Sequence, residues 1–357
     1  MRRNDRPQYT THCPSNCLPH MFKKLINRFF SREPGPLEPD EELALNPLTV
    51  FAPEPTEPLE MIDVDHLFFP WMLGMGTAVA EDMNDAENRL LRTLKRVADS
   101  NDRAIADLVP RIPSVIPLLL RSLRDPNVSN TQLATQISHD AVLVAAVLKQ
   151  VNSSYFRRAS PVKTIEEAVA VIGQNGLRML VASVAFKPLF NAGLGHFTAQ
   201  GAPRVWELSE PYGIACRHFA KARHVDAFEA FLAGLLQGVG VIVALRVLDQ
   251  AGGALPGELR SLDFQSSFAH YARRLAGVVG TQWEFPEQAV AAVDRSGPAS
   301  GLSGVLHASD RVSKIHVLVK HGVLRQDMAE VCLEGADAAA SYKEILAIEA
   351  AQEMPPA

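Results

Sequence analysis

A chain of 357 residues, 47% hydrophobic and 21% charged, carries enough apolar material for a sizeable core and leads us to expect roughly two domains. A formal charge of −5 excludes a global electrostatic footprint for nucleic acid, whose phosphates need clustered Lys and Arg. Four cysteines, Cys13, Cys17, Cys216 and Cys332, are too few for a disulfide framework in a chain this long, so a reducing compartment is expected.

Residues 1–20 show no periodicity and read as a disordered or non-native extension, with Met21 an alternative start to Met1. His12, Cys13, Cys17 and His20 could be written as a zinc site, but all four come from one short, Pro-broken segment, so no metal is expected there. From Met21, Phe22, Leu25, Ile26, Phe29 and Phe30 fall on one helical side, with Lys23, Lys24 and Arg28 opposite. Residues 21–30 are thus a basic amphipathic helix, suited to an anionic membrane surface, to a partner or to the protein's own body. Residues 31–60 are rich in proline and acidic side chains and read as a linker that cannot offset its ordering entropy.

No N-terminal stretch has the build of a signal peptide, and Leu67–Ala80, the longest weakly polar run in this reading, falls short of the roughly 18 residues a spanning helix needs. The expected location is cytoplasmic, with peripheral attachment at the inner membrane open through residues 21–30. Within residues 61–105, a helical adaptor, the aromatic cluster Leu67–Gly76 is expected to dock on the main domain, and Asn84–Ala106 reads as a helix with Leu90, Leu91, Leu94 and Val97 on one side.

From about residue 106 to 318 the apolar period is helical. Ser129–Gln132 and Thr164–Glu167 fit the capping box, and Asp226 with Glu229 opens a further helix whose buried stripe is Phe228, Phe231, Leu232, Leu235, Leu236 and Val239. Gly173 and Gly176 mark a break before a helix that Pro188 should end. Residues 319–357 add closing helices, with Met328, Val331 and Cys332, then Tyr342, Ile345, Leu346 and Ile348, on their apolar sides. The fold class is all-α.

The order of these marks carries a resemblance. Pro113 and Pro117 precede a Leu-rich helix, Asp125-Pro126 makes a turn, and Leu133-Ala134 and Ile137 lead to Asp140. Asn152-Ser153 then ends a helix, and Ile165 to Gly173 leads to Leu177-Arg178. Residues 106–318 resemble the HDOD domain, the HD-related output domain of bacterial signalling proteins. The resemblance implies an HD-like helical bundle related to the HD and HD-GYP phosphohydrolases. In catalytic relatives, His and Asp side chains hold divalent metals that make hydroxide and polarise a phosphoryl oxygen.

By this resemblance the metal-ligand positions fall on Leu208, Gln237, Gly238, Ser296 and Asp310, of which Asp310 alone keeps an acid. Asp294 and His307 are nearby polar candidates, and Asp310, if buried without a cation, should pair with an Arg or take a raised pKa. Gly238, in a helix interior, points to close helix packing or to a small pocket beside Gln237 and Asp310. His139, His218, His224, His270, His316 and His321 have no spacing that converges on one point. The expected function is therefore that of a non-catalytic regulator in bacterial signal transduction, acting through a protein partner, with no catalytic residues, metal or cofactor. Two alternatives stand beside it: a metal-dependent phosphodiesterase of cyclic dinucleotides with displaced ligands, and a nucleotide sensor that does not cleave.

Overall fold

The computed structural model describes residues 62–79, 81–100, 128–138, 141–152, 161–191, 195–295 and 301–353, all within one compact unit, Leu59–Ala357. The expected amphipathic helix at 21–30, the linker and the first twenty residues lie outside the described residues. The helices are α1 (Val64–Leu73), α2 (Asp85–Asp99), α3 (Asn130–Ser138), α4 (Ala141–Val151), α5 (Ile165–Asn191), α6 (His196–Glu207) and α7 (Ser209–Arg223). They continue with α8 (Ala227–Ala251), α9 (Leu262–Gln282), α10 (Glu287–Asp294), α11 (Leu302–Lys320), α12 (Gln326–Cys332) and α13 (Gly335–Glu353). Among the described residues no strand forms, and one isolated parallel bridge joins Val79 to Ser261. The fold of the described residues is the all-α bundle that the helical period implies.

Caps decide where several helices begin. Ser129 and Gln132 make the expected reciprocal pair before α3, at 2.9 and 3.2 Å. At α5 the Thr164 hydroxyl accepts from the Glu167 amide at 3.2 Å, while the Glu167 carboxylate reaches back one residue further than expected, to the Lys163 amide at 2.7 Å. Asp226 accepts from the Glu229 amide at 2.8 Å and opens α8. Glu87, 1% exposed, serves two helices: one oxygen accepts from the Asn84 amide at 2.8 Å, the other from Ser261 N, the N-cap of α9, at 2.8 Å. α6 is capped from outside, because Asp249 of α8 accepts from the amides of Phe197 and Thr198 at 2.7 and 3.0 Å.

Three boundaries differ from the sequence reading. α2 stops at Asp99, short of Ala106, because Ser100 turns extended (ψ 129) and its hydroxyl donates to Val97 O at 2.9 Å. The break in α5 falls at Gly173 alone, where φ is 71 and ψ 169, and Gly176 is helical. Pro188 does not end α5, which runs on to Asn191: a proline removes one backbone bond, and the remainder of the last turn survives it.

α8 is the axis of the bundle and packs against α2, α5, α6, α7, α9, α10 and α11. Its residues Leu232, Leu236, Val239, Ile242, Val243 and Leu245 are buried, each contributing roughly 1.5–3 kcal/mol to stability. Contact with α9 is close because a Cβ on Gly240 would lie 2.3 Å from the Ala272 carbonyl oxygen and 2.5 Å from the Ala276 methyl. The stretch Ile165–Phe190 and helix α8 are both long and apolar enough to cross a membrane by length and composition. That corrects the ranking of Leu67–Ala80 as the longest weakly polar run. The most apolar window of α8 is 72% buried inside the bundle, which accounts for its composition without a membrane.

The aromatic cluster docks as expected, and α1 carries it. Phe69 packs edge-on against Phe264 and Phe268 of α9, at 6.1 and 5.0 Å between ring centroids. Arg204 of α6 donates to the Trp71 carbonyl oxygen and lies over the Trp71 ring. At the other end α12 buries Cys332, while Val331, expected on the same apolar side, is 57% exposed. The short helix turns that residue outward.

Candidate functional site

Where α1, α6, α7, α8, α9 and α11 meet, they enclose a cavity of about 290 Å³. Leu208, Gln237, Gly238 and Asp310, the described positions to which the resemblance assigns ligands in catalytic relatives, all line it. Ser296 lies outside the described residues, although its neighbour Arg295 also lines the cavity. Of the residues that carry the resemblance, Pro113, Pro117, Asp125, Asp140 and Ser153 lie outside the described residues as well. Asn152 clamps the α4–α5 connection: its amide donates to Val162 O at 2.8 Å and its oxygen accepts from Val162 N at 2.7 Å. Gly173 makes the kink in α5 and Arg178 is buried on that helix.

Each ligand position has a physical account. Leu208 sits at the junction of α6 and α7 in helical conformation and offers no cap to either helix. Gly238 is a packing residue at the cavity edge, since a Cβ there would meet the Phe190 ring at 3.0 Å. Gln237, on the preceding position of α8, lines the cavity beside it. Asp310 is paired, with a lysine one turn further along α11 in place of the expected arginine: Lys314 Nζ donates to Asp310 Oδ2 at 2.7 Å.

Lys314 also donates to Asp65 Oδ1 of α1, again at 2.7 Å, and its ammonium lies over the Phe68 ring at 5.3 Å. Burial alone would depress the Lys314 pKa, but the Asp310 and Asp65 carboxylates outweigh it and hold it above the ordinary lysine range. The same ammonium holds the Asp65 carboxyl well below its usual value, against the opposing effect of burial. Lys314 and Asp65 were not singled out in the sequence. The local half of the triad was visible there as an acid four residues before a lysine, the favourable order on a helix; the long-range half was not.

A further part of the lining is cationic. Arg273 of α9 is half-buried in the cavity and makes no hydrogen bond or ion pair among the described residues. Its pKa is lowered first by burial and next by the positive charge of Arg295, against the opposing pull of the Asp65, Asp310 and Asp294 carboxylates. Arg295 follows α10 in left-handed conformation (φ 54), a place that normally takes glycine, and its guanidinium donates to His307 Nδ1 at 3.3 Å. An L-residue there carries a strain of roughly 1–2 kcal/mol. Two buried polar atoms complete the lining: Gln265 Oε1 and the Tyr212 hydroxyl, which have no nitrogen or oxygen partner among the described residues. Burial raises the Tyr212 pKa well above its ordinary value, and pushes the neighbouring Cys216 thiol up to about 12.

These residues do not fit a divalent metal. Such a centre needs several carboxylate or imidazole ligands around one point, and among the described residues no three His, Cys, Asp or Glu side chains are so grouped. His307 is exposed, is bonded to Arg295 and is not among the lining residues. Asp294 is not among the lining residues. His218, His316 and His321 pair separately with Glu344, Glu349 and Glu207.

Comparison with known proteins adds the lineage. The HDOD domain matches residues 109–297. An uncharacterized protein of Treponema pallidum (strain Nichols) is 29% identical over 154 residues, which make up 43% of this chain and 29% of that protein, so the match spans less than a third of the relative's length. A crystal structure of an HDOD domain protein with unknown function from Geobacter sulfurreducens shares the fold at TM-score 0.51 and 18% identity, covering 75% of this chain and 98% of that one. A proposed metal-dependent phosphohydrolase from Shewanella amazonensis SB2B is 20% identical, with a TM-score of 0.47 over 76% of this chain and 100% of that one. The helical bundle, the clamp at Asn152, the kink at Gly173 and a match across more than half of its residues agree: this chain belongs to the HDOD family.

Proposed function

We propose that this chain is a non-catalytic signalling protein that acts on a protein partner in a bacterial regulatory pathway. The observation that carries the proposal is the Asp310–Lys314 contact at 2.7 Å. The one acid kept at a ligand position is ion-paired to Lys314 of its own helix, and Leu208, Gln237 and Gly238 supply no anionic ligand beside it. Loss of outer-shell partners alone lowers metal affinity about 10- to 100-fold, and here most inner-shell donors are absent at the described positions. Hydrolysis of a phosphodiester needs a metal-made hydroxide in this kind of bundle, so the chemistry has no source. Signalling output then rests on surface contacts of the bundle, with residues 21–60 setting where it acts, in the cytoplasm or at the inner face of a membrane.

The test is elemental analysis of the purified chain with phosphodiesterase assays in manganese, iron and magnesium. We expect metal far below one equivalent and no turnover of cyclic dinucleotides. Stoichiometric metal with turnover would overturn the proposal.

A further inference from the structure

The cationic part of the cavity has no counterpart in a bundle that merely lost its metal. Asp65 and Asp310 are committed to Lys314, which both approach at 2.7 Å. Arg273 is left with no hydrogen bond or ion pair among the described residues, and among them the side chain bonded to Arg295 is a histidine. Half-buried Arg273 gives up hydration that the Asp65, Asp310 and Asp294 carboxylates offset through charge alone, with no hydrogen bond, and exposed Arg295 in the same lining repels it. Arg295, an exposed residue, is set in the lining by the left-handed C-cap of α10. A dianion lying between the two guanidinium groups would remove both costs.

The rest of the lining describes the other end of the ligand. Gln265 is 2% exposed and its Oε1 lacks a partner among the described residues, so it calls for a donor. Trp206, Phe190 and Phe268 supply aromatic wall, and about 290 Å³ is at the lower end of small-molecule sites. We infer that the cavity binds a small phosphomonoester, its phosphate held by Arg273 and Arg295 and an aromatic or apolar body carrying a hydrogen-bond donor set against the wall toward Gln265. The inference rests on the non-catalytic reading in one respect: the bound ester stays intact and serves as a signal.

Isothermal titration of the full chain at low salt with inorganic phosphate, adenosine monophosphate, guanosine monophosphate and the two unphosphorylated nucleosides tests this. We expect at least one monophosphate to bind, inorganic phosphate to bind at least about tenfold more weakly, and the nucleosides not to bind. Arg273→Met and Arg295→Gly should each weaken the monophosphate about tenfold or more without lowering Tm, because each removes a destabilised group. Arg274→Met, which breaks the outlying Arg274–Asp99 pair, should change affinity less than about twofold. The inference is overturned if none of the three phosphates binds at roughly 10 mM, or if the cavity variants weaken binding no more than Arg274→Met. Phosphorus NMR of the same mixtures separates the two readings. Cleavage of a bound ester would remove the non-catalytic reading and leave the anion site standing, whereas absence of binding and of cleavage would do the reverse.

Discussion

Replacing Lys314 by methionine, of similar length and uncharged, should destabilise the bundle through what it leaves behind. The Lys314 side chain is 14% exposed and its ammonium touches the side chains of Asp310, 21% exposed, and Asp65, 49% exposed. Removing one partner of a fully buried pair costs about 3–5 kcal/mol, because the other charge stays uncompensated. Asp310 retains some water, which lowers its share, and half-exposed Asp65 adds no more than about 1 kcal/mol. We therefore expect a loss of about 2–4 kcal/mol near neutral pH, read from urea denaturation followed by far-UV circular dichroism.

The pH dependence has a definite sign. Asp65 has a folded pKa below its ordinary 3.8, so the stability it contributes is complete above that value and disappears as pH falls through the folded value. Lys314 has a folded pKa above its ordinary 10.5, so its contribution is complete below 10.5 and is lost as pH rises through the folded value. The gap between wild type and Lys314→Met should thus be flat from about pH 5 to 9 and narrow below about pH 4. A variant within about 0.5 kcal/mol of wild type at neutral pH, or a gap that does not narrow on acidification, would refute the pairing.

Three further outcomes can be checked. Gly240→Ala sets a methyl 2.3 Å from the Ala272 carbonyl oxygen, so α8 and α9 must separate, and a loss of about 1–3 kcal/mol in denaturation is expected, with the loss concentrated at amides of those helices in hydrogen exchange. Arg295→Gly relieves a left-handed L-residue and should gain about 1 kcal/mol, which a calorimetric rise in Tm would register. His316 is buried against Glu349, and burial, only partly offset by that carboxylate, lowers its pKa from 6.5. Stability should therefore fall as pH drops through about 6.5, and His316→Phe should flatten that slope in pH-dependent denaturation.

What could be read from the sequence was what local chemistry determines. Ser129 with Gln132 is a cap wherever it is followed by a helix, and the stripe from Phe228 to Val239 needs only a 3.6-residue period to be found. The exact reach of Glu167 and the survival of α5 beyond Pro188 depend on single bonds that the period does not encode. In the site, Leu208, Gln237, Gly238 and Asp310 could be nominated because the resemblance fixes their order along the chain. Asp65 could not, since it stands 249 residues from the lysine it pairs with and no local pattern links them. Arg273 looked like any arginine on an amphipathic helix; only its half-burial in the cavity without a hydrogen-bonded carboxylate among the described residues gives it meaning.

Helix α1 lies outside the segment 109–297 that matches the family, yet it supplies Asp65, Phe68 and Phe69 to the wall of the cavity. The evolutionary module and the folding module therefore do not coincide. A fragment begun at residue 109 would uncover Phe264 and Phe268, which Phe69 now covers, and one ended at residue 297 would lose Asp310 and Lys314 as well. Grafting this domain onto another protein, or expressing it alone, requires carrying the upstream helix with it, because that helix forms one wall of the cavity.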